Sequence, residues 1–259
     1  MIPPGVAEPS LYLLTATLAV LLAGFSKASA AGGIGLLAVP LMAMAIAPQQ
    51  AAAIMLPILC ALDLLGLWTY RRELDARLLW RLVPGALLGI VVGALVFKTL
   101  DVRWVKGLLG LECLVFALHR IASRRRGGEP PTAADAPGRA FFWSGVSGFT
   151  STIAHAGGPP LLQYLLPLRI GKLTLVATTV YFFAVVNYVK LVPYGLLGLL
   201  DAANLSASLL LAPIVPVGYW IGHRFTRMIP ERAFLLFIDV SLVATGAKLL
   251  WDAVAPGLR

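Results

Sequence analysis

Charged side chains are scarce in this sequence, and their scarcity excludes most kinds of soluble protein. Asp, Glu, Lys and Arg make up only 13% of the 259 residues, whereas 59% are hydrophobic. A soluble domain with so few charges would have to expose a largely apolar surface. The apolar residues form continuous blocks without period-two alternation, which disfavours a β-barrel. The composition therefore predicts an all-α polytopic membrane protein.

Acidic residues and cysteines are scarcer still. The 12 acidic residues against 21 basic ones give a net charge of +9. The basic residues cluster between apolar blocks, where they set membrane topology, so nucleic acid is not an expected partner. The two cysteines, Cys60 and Cys113, lie within apolar blocks without the spacing of metal ligands, and we expect neither a disulfide nor a metal site. The acidic amino terminus predicts that the first block is retained and not cleaved as a signal peptide.

Signatures of enzymes and of cofactor sites are also missing. The sequence contains no His-Glu-x-x-His zinc motif, no Walker loop and no nucleophile elbow. We therefore expect a protein that is not an enzyme and that uses no cofactor.

The apolar residues form eight blocks in two groups of four. The blocks are 11–47, 49–70, 79–98 and 104–121, followed by 141–166, 173–198, 205–224 and 231–251. The stretch between the groups is rich in arginine, glycine and proline, which is typical of an exposed connection. The sequence predicts a first membrane repeat over 1–122, a polar cytoplasmic linker over 123–139 and a second membrane repeat over 140–259.

The two groups of blocks resemble each other in order along the chain, which indicates an internal duplication. The matching positions are Gly24-Phe25 with Gly148-Phe149, Asp63 with Asn187, Tyr70 with Tyr194, and, after a short insertion, Pro84, Gly89, Gly93 and Arg103 with Pro213, Gly218, Gly222 and Arg232.

The first block of each group decides how the halves are oriented. Block 11–47 is too long for one span of about 20 residues, and Gly32-Gly33 interrupts it. Two short spans or a re-entrant hairpin would give each half an odd number of crossings and invert the halves, with ten membrane segments in all. One crossing for each block would give eight crossings and parallel halves. The placement of most basic loops on one side favours inversion, with each half built from a broken or re-entrant first block plus three helices.

Both broken blocks carry glycine pairs followed by a new helix. These are Gly32-Gly33 in the first half and Gly157-Gly158, followed by Pro159 and Pro160, in the second. Proline suits the first turn of a helix, and a helix amino terminus offers free N–H groups to an anion. Ser26, Ser151 and Thr152 would add hydroxyl donors. The alternative is that the glycines only permit close helix packing.

Ionisable residues within apolar blocks are costly and are functional candidates. Lys27 precedes the first glycine pair and either lines a binding site or extends to the membrane interface. Asn187 and Lys190 share a helix face with Tyr194, either lining the same site or forming structural pairs with acids such as Asp63. Asp63 and His155 are the candidates for proton coupling, although His155 would serve equally well as a packing residue.

The glycine-rich stretches resemble those of the TauE/SafE sulfite-exporter-like permeases. The similarity covers nearly the whole chain and is most specific over Gly148–Pro160, followed by Thr178-Thr179 and Asn187-Tyr188-Val189-Lys190. In the first half it rests on Gly24-Phe25-Ser26-Lys27 and Gly32-Gly33-Ile34-Gly35, with Ala28 departing from the glycine that family members often carry. The resemblance implies a multi-pass permease of the bacterial inner membrane for sulfite, organosulfonates or related sulfur-containing anions, often exporting them.

The residues and the resemblance together predict a secondary transporter that moves a small anion by alternating access. The expected partners are a small anionic substrate and the lipid bilayer, and a homo-oligomer is compatible with the sequence. The alternatives are a small-anion channel, or an intramembrane binding or enzyme subunit that uses His155.

Overall fold

The protein is built from helices, as its composition predicts. The structure is a computed structural model that describes residues 8–29, 34–96, 102–125 and 132–254. No strand is present in these four ranges. Six helical stretches within them are long and apolar enough to cross a membrane. The prediction of an all-α polytopic membrane protein is therefore confirmed.

Eleven helices are described, and three short 3₁₀ turns interrupt them. In the first half these are α1 (Pro9–Ser29), a 3₁₀ turn (Ile34–Leu37), α2 (Ala38–Met42), α3 (Pro48–Thr69), α4 (Ala76–Val96) and α5 (Val102–Arg125). In the second half they are α6 (Pro137–Ala154), α7 (Gly158–Leu165), a 3₁₀ turn (Leu166–Leu168), α8 (Lys172–Leu196), α9 (Ala202–Leu211), a 3₁₀ turn (Ala212–Ile214), α10 (Val215–Met228) and α11 (Glu231–Val254).

The first block of each half is broken. In the second half, α6 ends at Ala154 and is capped by His155, whose backbone is left-handed with φ 50°. Helix α7 then begins at Gly158 with proline in its first turn. This confirms the predicted role of Pro159 and Pro160 as a helix start. In the first half, α1 ends at Ser29, and the predicted break at Gly32-Gly33 lies outside the described residues. Block 205–224 differs from its expected single helix because Pro213 lies in a 3₁₀ turn between α9 and α10.

The main helix contacts join the two halves, and they do so in equivalent pairs. Helix α1 packs against α10 and α6 packs against α4, while α3 packs against α8 and α5 against α11. By the sequence correspondence, α1 is equivalent to α6 and α4 is equivalent to α10, so the α1–α10 contact is equivalent to the α6–α4 contact. The α3–α8 and α5–α11 contacts each join two equivalent helices. Equivalent helix contacts therefore hold the two halves together.

The two pairs of corresponding helices that pack against each other run antiparallel. In the α3–α8 pair, the Tyr181 hydroxyl donates to the Leu67 carbonyl at 2.9 Å, and the Tyr188 hydroxyl donates to the Cys60 carbonyl at 3.4 Å. In the α5–α11 pair, Gly110 lies beside Gly246, while Arg120, further along α5, bonds to Asp239, which comes earlier in α11.

Small residues allow the helices of the other pairs to approach closely. A Cβ added to Gly89 on α4 would lie 2.0 Å from the Gly145 carbonyl oxygen on α6. At the equivalent contact, a Cβ on Gly218 would lie 2.8 Å from the Leu21 carbonyl oxygen. Both distances are shorter than a carbon–oxygen contact permits. For these two positions, close packing of helices is the physical reason for glycine.

The substitution Gly89→Val is expected to destabilise the protein by about 3 kcal/mol, because the new side chain forces α4 and α6 apart. Gly195→Val is the control, since a Cβ at Gly195 would meet nothing within 4 Å. Melting curves of the two purified variants in detergent would test this. Equal melting temperatures for the two variants would contradict the packing argument.

The basic loops of both halves meet at one end of the bundle. Glu73, after α3, pairs with Arg227 of α10 at 3.2 Å, and the Lys172 ammonium donates to the Ile229 carbonyl at 2.8 Å. Asp135 of the linker pairs with Arg81 of α4. Helix α1 also ends near this level, where the Tyr70 hydroxyl donates to the Ala28 carbonyl. The segment 34–47 must therefore return across part of the bundle before α3 begins.

Candidate functional site

A buried ion pair between α1 and α3 lies where the two halves meet. The Lys27 ammonium contacts one carboxylate oxygen of Asp63, and the Asn187 amide donates to the other at 2.7 Å. Asp63 is fully buried, and 10% of the Lys27 side chain is exposed. The Lys27 ammonium also lies 5.3 Å from the centre of the Phe183 ring. Asp63 and Asn187 are equivalent positions of the duplicated sequence, so this contact crosses the centre of the molecule.

A second polar cluster surrounds Lys190 on α8. Its ammonium donates to the Ser151 hydroxyl at 3.0 Å and to the Ser151 carbonyl at 3.1 Å. His155 Nδ1 lies 3.4 Å away, and His155 Nε2 lies 3.0 Å from the Tyr194 hydroxyl. Lys190 is fully buried. Among the described side chains, no carboxylate lies within ion-pair distance of it.

The two clusters differ in charge. Lys27 has a buried carboxylate as its partner, whereas Lys190 has only a hydroxyl, a carbonyl and an imidazole. An ammonium group in a low-dielectric interior is costly unless a negative charge or strong acceptors compensate it. The centre of the bundle therefore favours the presence of one additional negative charge.

A small cavity of about 80 Å³ lies beside these clusters. Its polar wall comes from both halves, with Ser26 and Lys27 on one side and Ser151, His155 and Asn187 on the other. Such a volume holds roughly two or three water molecules. Drug-sized ligands usually occupy clefts of about 300–1,000 Å³. The cavity is therefore matched in size to a small ion.

The remaining residues proposed from the sequence fall into four groups. Gly158, the first residue of α7, lines the cavity. Gly157 lies just behind it, where its carbonyl accepts from the Ser147 hydroxyl at 2.6 Å. Thr152 lies against α4, since a Cβ on Gly93 would be 3.0 Å from the Thr152 Cβ, and its hydroxyl donates to the Gly148 carbonyl. Gly32 and Gly33 are outside the described residues.

Two tyrosines hold the ends of the broken helices in the same way. The Tyr70 hydroxyl donates to the Ala28 carbonyl at 2.7 Å, and the Tyr194 hydroxyl donates to the Thr152 carbonyl at 3.3 Å. Ala28 and Thr152 are equivalent positions, as are the two tyrosines. The last carbonyls of a helix lack intrahelical partners, so each hydroxyl satisfies a group that the break leaves free.

Sequence reasoning did not assign the apolar part of the cavity wall, two residues of α8 on its polar face, or one ion pair. Thr179 and Phe183 of α8 line the cavity, and both lie on the helix face that also carries Asn187 and Lys190. Their spacing at four-residue intervals before Asn187 on one helix could have identified both residues from the sequence. The buried pair between Arg120 and Asp239 joins α5 to α11 at 2.8 Å. Its two partners are far apart in sequence, and no local pattern connects them.

Metal coordination receives no support from the described part of the chain. No group of three or more His, Cys, Asp or Glu side chains is placed there to hold an ion. The polar atoms around the cavity are ammonium, hydroxyl, amide and imidazole groups, and most of them donate hydrogen bonds. Such a lining suits an anion better than a cation.

A bundle of apolar helices that encloses a polar site between two halves is the architecture of a membrane transporter. The family model described as "Sulfite exporter TauE/SafE" matches residues 16–249. The chain therefore belongs to the sulfite exporter TauE/SafE family. It is a multi-pass protein of the inner membrane. A relative, "Probable inner membrane transporter protein TsaS" of Comamonas testosteroni, is 28% identical over 186 residues, which is 70% of this chain and 75% of the relative. No solved structure matches the chain.

Proposed function

We propose that this transporter moves a small sulfur-containing anion, sulfite or an organosulfonate, by alternating access and in the direction of export. Lys190 and Lys27 would supply the positive charge at the site. Ser26, Ser151 and Asn187 would supply polar contacts, and Gly158 would let the anion approach the start of α7. Thr152 would act indirectly, by shaping the end of α6.

The observation that carries the proposal is one buried lysine without a carboxylate partner, one residue behind the wall of the cavity. Lys190 reaches the cavity through Ser151 and His155, which line it. Two lysines, Lys27 and Lys190, lie in the centre of the bundle against one carboxylate, Asp63. A monovalent anion in the cavity would balance the second lysine. Since Lys27 already has its partner, Lys190 is the more important anion-binding residue of the two.

Alternating access is supported by the arrangement of the halves. The two pairs of corresponding helices that pack against each other run antiparallel, and the contacts between the halves are equivalent in pairs. We propose that the halves are inverted repeats and that the basic loops at the end near Tyr70 face the cytoplasm. A rocking motion would then convert one half into the arrangement of the other and open the site to the opposite side.

Counterflow in proteoliposomes tests the substrate class. Vesicles loaded with unlabelled sulfite are expected to take up radiolabelled sulfite transiently, and methanesulfonate outside is expected to compete. Naphthalenesulfonate should not compete, because a cavity of about 80 Å³ cannot enclose a fused ring system. Protein-free vesicles are the control for leakage. Sulfite and methanesulfonate fluxes no faster than in those vesicles would overturn the proposal, and equal competition by the large sulfonate would overturn the size argument.

A further inference from the structure

A line of three side chains leads from the candidate site toward the end of α8. Lys190 Nζ lies 3.4 Å from His155 Nδ1, and His155 Nε2 lies 3.0 Å from the Tyr194 hydroxyl. Both ring nitrogens of His155 therefore have a partner that exchanges protons. Tyr194 lies two residues before α8 ends, beside Leu56 and Cys60.

We infer that Lys190, His155 and Tyr194 form a proton path, and that the anion and a proton cross the membrane together. This inference rests on the proposed function, since it assigns the coupling ion to the same site. It assigns proton coupling to Lys190 and His155. Asp63 does not exchange a proton in this scheme, because its two carboxylate oxygens are bonded to Lys27 and Asn187.

The backbone at His155 is built to hold the ring in this position. His155 caps α6 in the left-handed region, with φ 50°, where most residues other than glycine are uncommon. The break between α6 and α7 thereby turns the imidazole toward α8, edge to face with the Tyr194 ring. The break between α6 and α7 therefore lets the His155 ring contact both the Lys190 ammonium and the Tyr194 hydroxyl.

The charged and titratable neighbours of the path come from three helices. Lys190 interacts electrostatically with Asp63 and Cys60 of α3 and with Lys27 of α1, and it contacts His155 at the end of α6. His155 faces the two lysines and the backbone of Ala52. Asp63 is the only carboxylate among these neighbours, and it is engaged by Lys27. No described carboxylate therefore holds the Lys190 proton when the anion has left.

The proposed step conserves protons and charge. While the anion is bound, the Lys190 ammonium balances it. When the anion leaves, Lys190 gives a proton to His155 Nδ1 and the proton on Nε2 passes to the Tyr194 oxygen. The Tyr194 hydroxyl proton, which the Thr152 carbonyl accepts in this structure, passes to water that reaches Tyr194 while the site is open to that side. Lys190 becomes neutral and the water gains one positive charge. Lys190 is recharged by a proton from water that enters the site from the opposite side of the membrane together with the next anion, so one proton crosses with each negative charge.

Within the residues that the structure describes, the path has no counterpart at the other end of the bundle. Tyr70, the equivalent of Tyr194, contacts His223 Nδ1 at 3.0 Å, but Gly66 stands at the position equivalent to Lys190. Tyr70 and Tyr194 both hold a helix-end carbonyl, whereas only Tyr194 is connected to a lysine through a histidine. The duplicated fold therefore provides a matched control.

The test measures two rates in proteoliposomes that contain the full chain. The first rate is exchange of radiolabelled sulfite or methanesulfonate at equal pH on both sides, which needs no net proton movement. The second is uptake of the same anion driven by an acidic exterior, with a pH-sensitive dye inside to record proton entry. Tyr194→Phe is expected to lower the ratio of driven uptake to exchange at least tenfold, and Tyr70→Phe is expected to keep the wild-type ratio.

A second variant of the path guards against a structural effect of the first. His155→Asn keeps a residue that tolerates the left-handed backbone but cannot relay a proton, and the same fall in the ratio is expected. A wild-type ratio in Tyr194→Phe or His155→Asn would overturn the path, as would an equal loss of both rates in the two variants. If the wild type exchanges neither anion, the proposed function fails and the path fails with it.

Discussion

The substitution Lys190→Met is expected to abolish anion transport while leaving the protein at least as stable as the wild type. Lys190 is fully buried without a carboxylate partner among the described residues, so burying its amine costs free energy when the site is empty, whether the amine is charged or neutral. Methionine has a similar length and fills the same space without charge. Loss of the charge should weaken anion binding by about 100-fold, or about 2.8 kcal/mol. The measurements are counterflow of radiolabelled sulfite and melting in detergent.

A matched substitution separates the role of Lys190 from the general effect of removing a lysine. Lys248 of α11 lies outside the site and pairs with Asp252 four residues later. Lys248→Met is expected to retain transport. Normal counterflow by Lys190→Met would remove this lysine from the site. A large drop in its melting temperature would show that Lys190 acts in folding, since a residue that only binds the anion should not stabilise the empty protein.

The second large effect is expected from Asp63→Asn, which should destabilise the protein by about 3 kcal/mol or more. The carboxylate is fully buried between Lys27 and Asn187, and its removal leaves the Lys27 ammonium without compensation. The double variant Lys27→Met/Asp63→Asn should recover most of the loss, because it removes both charges. Unfolding of the wild type, the two single variants and the double variant in denaturant gives the coupling free energy.

The exposed pair of Arg81 and Asp135 is the control for this cycle. Both side chains are about two-fifths exposed, and an ion pair in water contributes at most about 1 kcal/mol. The coupling free energy of the buried pair should exceed that of the exposed pair. Equal values, or no recovery in the double variant, would show that Lys27 does not depend on Asp63 for its charge balance. In that case Lys27 would rank with Lys190 as an uncompensated cation.

Much of the fold was accessible from the sequence because a membrane restricts the choices. Long apolar blocks can satisfy their backbone groups in a bilayer only as helices or closed barrels, so composition alone decided the fold class. The break before α7 followed from Gly157, Gly158 and two prolines. The correspondence of Asp63 with Asn187 and of Tyr70 with Tyr194 also followed from the sequence order. The internal duplication and the helix-breaking residues are properties of the sequence that can be identified without a structure.

The partners of each charge were not accessible in this way. The sequence left Lys190 equally suited to pair with Asp63, yet Asp63 bonds Lys27 and Asn187. Thr152 shares a motif with Ser151 but faces α4, because neighbouring residues on a helix point in different directions. The contact between Lys190 and His155 depends on the left-handed turn that ends α6.

The sequence by itself determined that this protein is a duplicated bundle of membrane helices with a few costly charges at its centre. Hydrophobic length, helix-breaking residues and repetition are local properties, and they need no knowledge of which helix lies beside which. Only the tertiary structure decided that one lysine is neutralised and the other is not. That difference arises from the antiparallel packing of α3 against α8, which brings Asp63 to Asn187 across 124 residues of the chain. It arises equally from the end of α6, which brings Ser151 and His155 to Lys190.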